Sequence, residues 1–404
     1  MLRVAVVLSH PFHASLGTDF RILNQIVPMA KLQTEIHFVS LFGDAPLPKL
    51  DNLSFRCYSK SPWISHTAYG LSRRALNHPS MAPLVMRLPN LFQITSSVYA
   101  KRLTSELRRV DPDVVLAIHQ VAAAACRKVK VSLGCPVIAD IHSVWAEELV
   151  AAGILRRDSP AFSEVLRFDK YSLESVDYSV VVSEELKLYL GAEFGIPSDR
   201  IVVVGPCMEP RVAEAKRVSN PSRIVFCGMA NYRERFDLIL KSMPHVLDRF
   251  PQARLYATRK GDNLDEMQRL AHRLGIAPRY FYYESPNEFY DFLNTCHVGL
   301  VASSNDVARR LAYPAKIWDY MSVGLPIVAN DVGGWSRFIR ESEAGILTDD
   351  SPQGLANGVV SLLENPDQVY EMGQNGLDYI RRVMKPENLV RQFRDTLQHA
   401  AREC

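Results

Sequence analysis

The chain has 404 residues, 47% hydrophobic and 23% charged, which is too long for one ordinary core and suits a globular protein of two domains. Its 47 basic and 44 acidic residues leave a formal net charge of +3, too weak a global field to call for nucleic acid, so any anion-binding surface has to be local. The seven cysteines (Cys57, Cys126, Cys135, Cys207, Cys227, Cys296, Cys404) are scattered with no Cys-x-x-Cys pair and no zinc spacing, and read as buried free thiols.

The opening run Met1-Leu2-Arg3-Val4-Ala5-Val6-Val7-Leu8-Ser9-His10 is too short for a signal segment and reads as a buried first strand. No stretch approaches the roughly 18 uninterrupted apolar residues of a spanning helix, which predicts a cytoplasmic protein, peripheral at the inner face of a membrane at most. Short β-branched runs then alternate with amphipathic stretches, the pattern of repeated βαβ units with mainly parallel sheets. Strands are expected at Val4–Leu8, Glu35–Val39, Val114–Ile118, Val137–Asp140 and Tyr178–Val182. The Pro- and Arg-bearing segment Ser61–Leu91 breaks that rhythm as an irregular or helical insertion. Pro206-Cys207-Met208-Glu209-Pro210 and the polar stretch to Pro221-Ser222 read as a linker. A second series follows at Arg223–Phe226, Ala253–Ala257, Tyr280–Tyr283, Val298–Val301 and Pro326–Ala329, with Gly345–Leu347 as an edge strand. The last stretch, Asn388–Glu403, has helical periodicity in Leu389, Phe393, Leu397 and Ala400.

The chain has no Gly-x-Gly-x-x-Gly after the first strand and no Gly-Lys-Ser/Thr phosphate loop, which argues against NAD and ATP. No His-Glu-x-x-His, nucleophile elbow or kinase set occurs either. The informative block is Tyr313-Pro314-Ala315-Lys316-Ile317-Trp318-Asp319-Tyr320-Met321-Ser322-Val323-Gly324-Leu325-Pro326, followed by a strand and Gly333-Gly334. It predicts a loop, a helix begun by the proline, a Gly-Leu-Pro stop and a buried strand. The helix N-terminus and Lys316 would attract an anion, and Asp319 one turn on could accept hydrogen bonds from vicinal hydroxyls. A diphosphate joined to a ribose fits both; an ordinary capped helix with a solvated Lys and Asp is the alternative.

This block resembles the donor-binding signature of retaining glycosyltransferases of the GT-B fold, glycosyltransferase family 4 (glycosyl transferases group 1). Leu274-Gly275-Ile276, Pro286-Asn287-Glu288-Phe289-Tyr290-Asp291-Phe292-Leu293 and Cys296-His297-Val298-Gly299-Leu300-Val301 follow that family's order. So do Val181-Val182-Ser183-Glu184-Glu185-Leu186 and Gly195-Ile196-Pro197-Ser198-Asp199-Arg200-Ile201. The resemblance covers roughly residues 170–385 well and the first half loosely. It implies an α/β fold of two Rossmann-like domains with mainly parallel sheets facing across a cleft. Residues 1–207 would form the acceptor-side domain, with a C-terminal helix within 385–404 packing back on it, and 208–384 the nucleotide-sugar donor domain.

By the same resemblance Asp319 binds the ribose. The glutamate the family often places eight residues earlier is Leu311 here, so Asn305 or Asp306 in the preceding loop is the candidate for the sugar contact. Arg309 and Arg310 could reach phosphate. The family's Arg and Lys from the first donor-lobe loop fall at Met229 and Glu234, leaving Arg233 or Arg235 to neutralise diphosphate. In the first half Gly17 corresponds to a glycine loop and His13 lines the acceptor side with His10. His142, after Asp140-Ile141, would hydrogen-bond the sugar or stabilise charge, with His119 as the competing choice.

The implied activity is transfer of a sugar from a nucleoside diphosphate donor, UDP first and GDP second, to a glycan or lipid-linked acceptor. It would proceed with retention, without a metal and without a further cofactor. Trp63, Arg73, Arg74, Met86 and Arg87 of the insertion could form a membrane-surface patch, or plain helical packing with a basic exterior. A non-catalytic partner subunit binding sugar nucleotide or glycan, and a sugar-nucleotide epimerase, are the rival readings.

Overall fold

Near-continuous runs of Val, Ile and Leu form two separate parallel sheets in the computed structural model, which describes residues 1–8, 21–40, 51–57, 100, 103–261, 263–283 and 285–403. The first sheet contains β1 (Leu2–Leu8), β2 (Thr34–Ser40), β3 (Leu53–Cys57), β4 (Val114–Ile118), β5 (Val137–Ile141), β6 (Tyr178–Val181) and β7 (Ile201–Val203). Its spatial order is β3-β2-β1-β4-β5-β6-β7. The second contains β8 (Arg223–Phe226), β9 (Arg254–Thr258), β10 (Arg279–Phe281), β11 (Val298–Val301), β12 (Ile327–Asn330) and β13 (Gly345–Thr348). Its order, β10-β9-β8-β11-β12-β13, repeats the same doubly wound topology. In the first sheet Val6 lies opposite Phe38 on one side and Leu116 on the other. Val4 to Leu8 and Val114 to Ile118 are fully buried, as expected of central strands covered on both faces.

Two strands lie beyond the sequence expectation, β3 and β7. Both are at sheet edges, where a strand needs apolar side chains on one face only and the signal falls to a few residues. Gly345–Thr348 takes the edge position expected of it.

The chain divides into two compact units, Met1–Cys207 with Pro386–Cys404, and Met208–Lys385. The polar stretch after Met208 is no free tether: Arg211 N donates to Ser322 O at 2.7 Å and Ala215 N to Gln374 Oε1 at 3.2 Å. The final helix, Pro386–Glu403, presents Val390, Phe393, Leu397 and Ala400 to the core of the first unit, alongside Val4, Val6, Ile36 and Leu116. Val390 rather than Leu389 completes the stripe, because the 3-4-3 spacing of 390, 393, 397 and 400 keeps one face inward. Leu397→Ala is expected to cost about 3 kcal/mol through lost burial and the cavity left behind, read as a lower urea midpoint at unchanged slope. Among the described residues no helix is long and apolar enough to cross a membrane.

The segment Ser61–Leu91, with Trp63, Arg73, Arg74, Met86 and Arg87, lies outside the described residues, as do His10, His13 and Gly17.

Candidate functional site

In the second sheet β8 and β11 are neighbours whose chains leave in opposite directions, β8 toward β9 and β11 toward β12. The crevice beyond their carboxyl ends is where ligands lodge in such sheets. The loop 227–235 leaves β8 and the loop 302–306 leaves β11; Ser304 stitches them together, its N and Oγ donating to Arg233 O at 2.9 and 3.1 Å. The helix Lys316–Ser322 is pinned across both strands by the buried Tyr320. Its phenolic oxygen accepts from Cys227 N at 2.8 Å and donates toward Leu300 O at 3.3 Å. The ring passes over Gly299, where any Cβ would come within 2.6 Å of it. Glycine in the middle of β11 is therefore a condition for placing this helix, and with it Lys316 and Asp319, at the crevice.

Lys316 is nearly buried, with its ammonium 5.0 Å from the centre of the Phe226 ring. It is ion-paired to Glu234, whose other oxygen lies 3.6 Å from Arg309 Nη2. Met229 N also donates to Glu234 Oε2, at 3.3 Å, and Asn231 Oδ1 accepts from Glu234 N at 2.9 Å. Burial alone would raise the Glu234 carboxyl; the Lys316 and Arg309 cations override it and hold the pKa below the ordinary range. The first amides of the helix contribute little to this cluster. Ile317 N and Trp318 N donate to Pro314 O and Ala315 O at 3.2 and 3.0 Å, a tight first turn that occupies two of its amides.

Asp319 lies one turn along, partly exposed, and Oδ1 accepts from Tyr290 Oη at 2.9 Å. The Arg211 guanidinium stacks over the Tyr290 ring, 4.4 Å from its centre. Burial pushes the Asp319 carboxyl up to about 6, against the opposing pull of the Tyr290 hydrogen bond, Arg211 and Lys316. Near neutral pH it is thus a carboxylate with acceptor capacity beyond the one Tyr290 bond.

The first unit has its own cluster at the ends of β4 and β5. Asp140 is fully buried and accepts from Arg21 Nε at 3.1 Å and His142 Nε2 at 3.0 Å. Arg21 Nη1 continues to Val204 O at 2.7 Å. His142 packs edge-on against His119, ring centres 4.9 Å apart, and His119 leaves β4 with φ of +67°. Gln120 Nε2 holds Ser143 O at 2.7 Å, which fixes the loop carrying His142.

A half-buried carboxylate thus stands beside paired side-chain cations at the switch point of a doubly wound sheet. Two family models match consecutive stretches, Glycosyltransferase Family 4 over residues 31–211 and Glycosyl transferases group 1 over residues 221–365. The chain belongs to this family of glycosyltransferases. An uncharacterized glycosyltransferase of Methanocaldococcus jannaschii is 23% identical over 57% of this chain and 60% of its own length. The chain thus spans about three fifths of the length of the first curated relatives it matches. Among solved structures, sucrose-phosphate synthase of Thermosynechococcus elongatus superposes with a TM-score of 0.76 at 14% identity, covering 100% of both chains. HepE of Anabaena, solved in complex with UDP, has a TM-score of 0.71 at 13% identity over 99% of this chain and 100% of that one. At these identities the likeness is one of fold, GT-B with two Rossmann-like domains.

The anticipated donor residues of the second unit do not all meet at this crevice. Asp319, Lys316 and Arg309 converge on the ends of β8 and β11. Arg233 sits in the loop that approaches them, its carbonyl held by Ser304. Arg235 turns away in a left-handed conformation, φ +45°, and its Nη1 binds both oxygens of Asp350 at 2.9 and 2.7 Å. Asp306 caps the helix Val307–Leu311 by accepting from Arg309 N at 2.9 Å, while Asn305 is exposed beside it. Leu311, at the place of the family's glutamate, is buried.

Three further residues shape the site: Glu234, Tyr290 and Arg211. Glu234 was visible as a carboxylate at a lysine position, with no sign that it would pair with Lys316. Tyr290 stood in a stretch noted only for its order, and Arg211 in the presumed linker; no local pattern brings either to Asp319.

Proposed function

We propose that this protein transfers a sugar from a nucleoside diphosphate donor, held by the 208–385 unit, to a glycan or lipid-linked acceptor. The observation that carries this reading is the convergence of Asp319 with Lys316 and Arg309 at the ends of β8 and β11. The carboxylate is suited to the two hydroxyls of a ribose, and the cations to the diphosphate that departs with the bonding electrons. Stabilising that leaving group with fixed side-chain charge needs no metal, and we assign the reaction to the retaining, metal-independent class of the family. UDP is the favoured donor nucleotide, in keeping with the ligand of HepE; GDP is the second choice. His142, its ring fixed by Asp140, is assigned the hydrogen bond to the reacting sugar.

The test is thermal stabilisation by UDP, GDP and their sugars against NAD and ATP. A ligand that binds only the folded state stabilises it by about 2.7 kcal/mol at a hundredfold excess over Kd. We expect a raised melting temperature with uridine or guanosine compounds only, followed by movement of radiolabelled sugar into a glycan or lipid extract. No shift with any of them would overturn the proposal; a shift without transfer would favour the non-catalytic binding subunit.

A further inference from the structure

The donor crevice already contains an anion of its own. Glu234 accepts from the ammonium of Lys316 and from Met229 N, and lies 3.6 Å from the Arg309 guanidinium. An ammonium, a guanidinium and a main-chain amide are the set of donors that a phosphate oxygen attracts. The carboxylate fits there because residue 228 is glycine. A Cβ on Gly228 would stand 2.1 Å from Glu234 Oε2 and 2.9 Å from Lys316 Nζ, closer than atoms pack. Asn231 Oδ1 fixes the backbone at Glu234 N, so the loop is built to deliver this carboxylate.

We propose that Glu234 is an internal counter-anion of the phosphate cradle, a specificity residue that weakens the hold on diphosphate and most of all on the nucleoside diphosphate product. This rests on reading the 208–385 unit as the nucleotide-sugar site. Lys316 and Arg309 supply two positive charges and Glu234 removes one. The free nucleoside diphosphate carries more negative charge near neutral pH than the same diphosphate esterified to a sugar. Repulsion from Glu234 therefore falls harder on product than on donor and favours product release. Glu234 acts through the cations; it is not assigned a bond to the sugar.

Substitutions that only damage a binding site lower affinity, whereas Glu234→Gln should raise it. By calorimetry, UDP or GDP is expected to bind E234Q roughly ten-fold more tightly than wild type, with a smaller gain for the corresponding nucleotide sugar. Product inhibition should strengthen in parallel. Lys316→Met should move affinity the other way, leaving a carboxylate facing the phosphates, and adding E234Q to it should recover about ten-fold. The double substitution replaces the ion pair with two neutral side chains, so it carries the test if E234Q does not fold. Equal or weaker nucleoside diphosphate binding by E234Q, or no recovery in the double variant, overturns the inference. If Asp319→Ala still abolishes binding in that case, the reading of the site stands; if neither wild type nor E234Q binds any nucleotide, both fall.

Discussion

Asp319→Ala is expected to lower affinity for the donor nucleotide about 30- to 1,000-fold, the equivalent of roughly 2–4 kcal/mol for two charge-assisted hydrogen bonds to ribose. The stabilisation by UDP or GDP compounds should then vanish at millimolar ligand. Loss of fold is separated from loss of contact by Asp319→Asn. The Asp319 carboxyl is pushed up to about 6 in the folded protein by burial, above the ordinary carboxylate value near 4. Its contribution to stability is fully present below pH ~4 and is lost as pH rises through 6. An amide at this position escapes that loss, so Asp319→Asn should be roughly 2 kcal/mol more stable than wild type at pH 8 while binding nucleotide poorly. Affinity of wild type should fall between pH 7 and pH 5 as the acceptor is protonated. The probe for that titration is a nucleotide sugar, whose diphosphate diester holds its charge across the range. Unchanged affinity in Asp319→Ala would remove the ribose assignment.

The regular half of the molecule was legible because buried parallel strands are nearly continuous apolar runs. Val4–Leu8, Val114–Ile118 and Arg223–Phe226 are all central, and all stand out in the sequence. Leu53–Cys57 and Ile201–Val203 are edge strands, the first broken by Ser54 and Arg56 and the second only three residues long. The Tyr313–Pro326 block was legible for a different reason. Its proline, Gly-Leu-Pro stop and following strand are local signals, so the helix bearing Lys316 and Asp319 could be placed from the sequence.

What surrounds that helix was not legible, because the partners come from far along the chain. Glu234 precedes Lys316 by 82 positions, and Tyr290 precedes Asp319 by 29. Only the topology, which lays β8 beside β11, brings them together. The short first turn likewise consumes its own amides, a tertiary detail that no propensity encodes. The electrostatics of the site thus rest on side-chain cations offset by a side-chain anion, where the sequence suggests a helix terminus, Lys316 and arginines without that anion.

Asp140→Ala is expected to be the most destabilising of the substitutions considered, at about 3–5 kcal/mol, because it strands a buried guanidinium. Asp140 is wholly buried and serves Arg21 and His142 at once, while Arg21 ties β5 to Val204 and lies 5.3 Å from the centre of the Phe393 ring on the final helix. Burial alone would raise the Asp140 carboxyl, but the Arg21 guanidinium and the hydrogen bond from His142 override it and hold it far below the usual carboxylate range. Its stabilisation is therefore complete above pH ~4 and lost only in stronger acid. The urea midpoint of Asp140→Ala should consequently stay well below that of wild type throughout pH 5 to 8. Adding Arg21→Met should recover part of the loss, since removing both members of a buried pair costs less than stranding one. Asp140→Asn keeps the volume and one acceptor for Arg21 but takes the charge away from His142. If the carboxylate serves catalysis through that ring, Asp140→Asn should lose most of kcat while nucleotide affinity, which we assign to the 208–385 unit, is unchanged. A fall in stability with kcat intact would make the triad of Arg21, Asp140 and His142 an element of the fold alone.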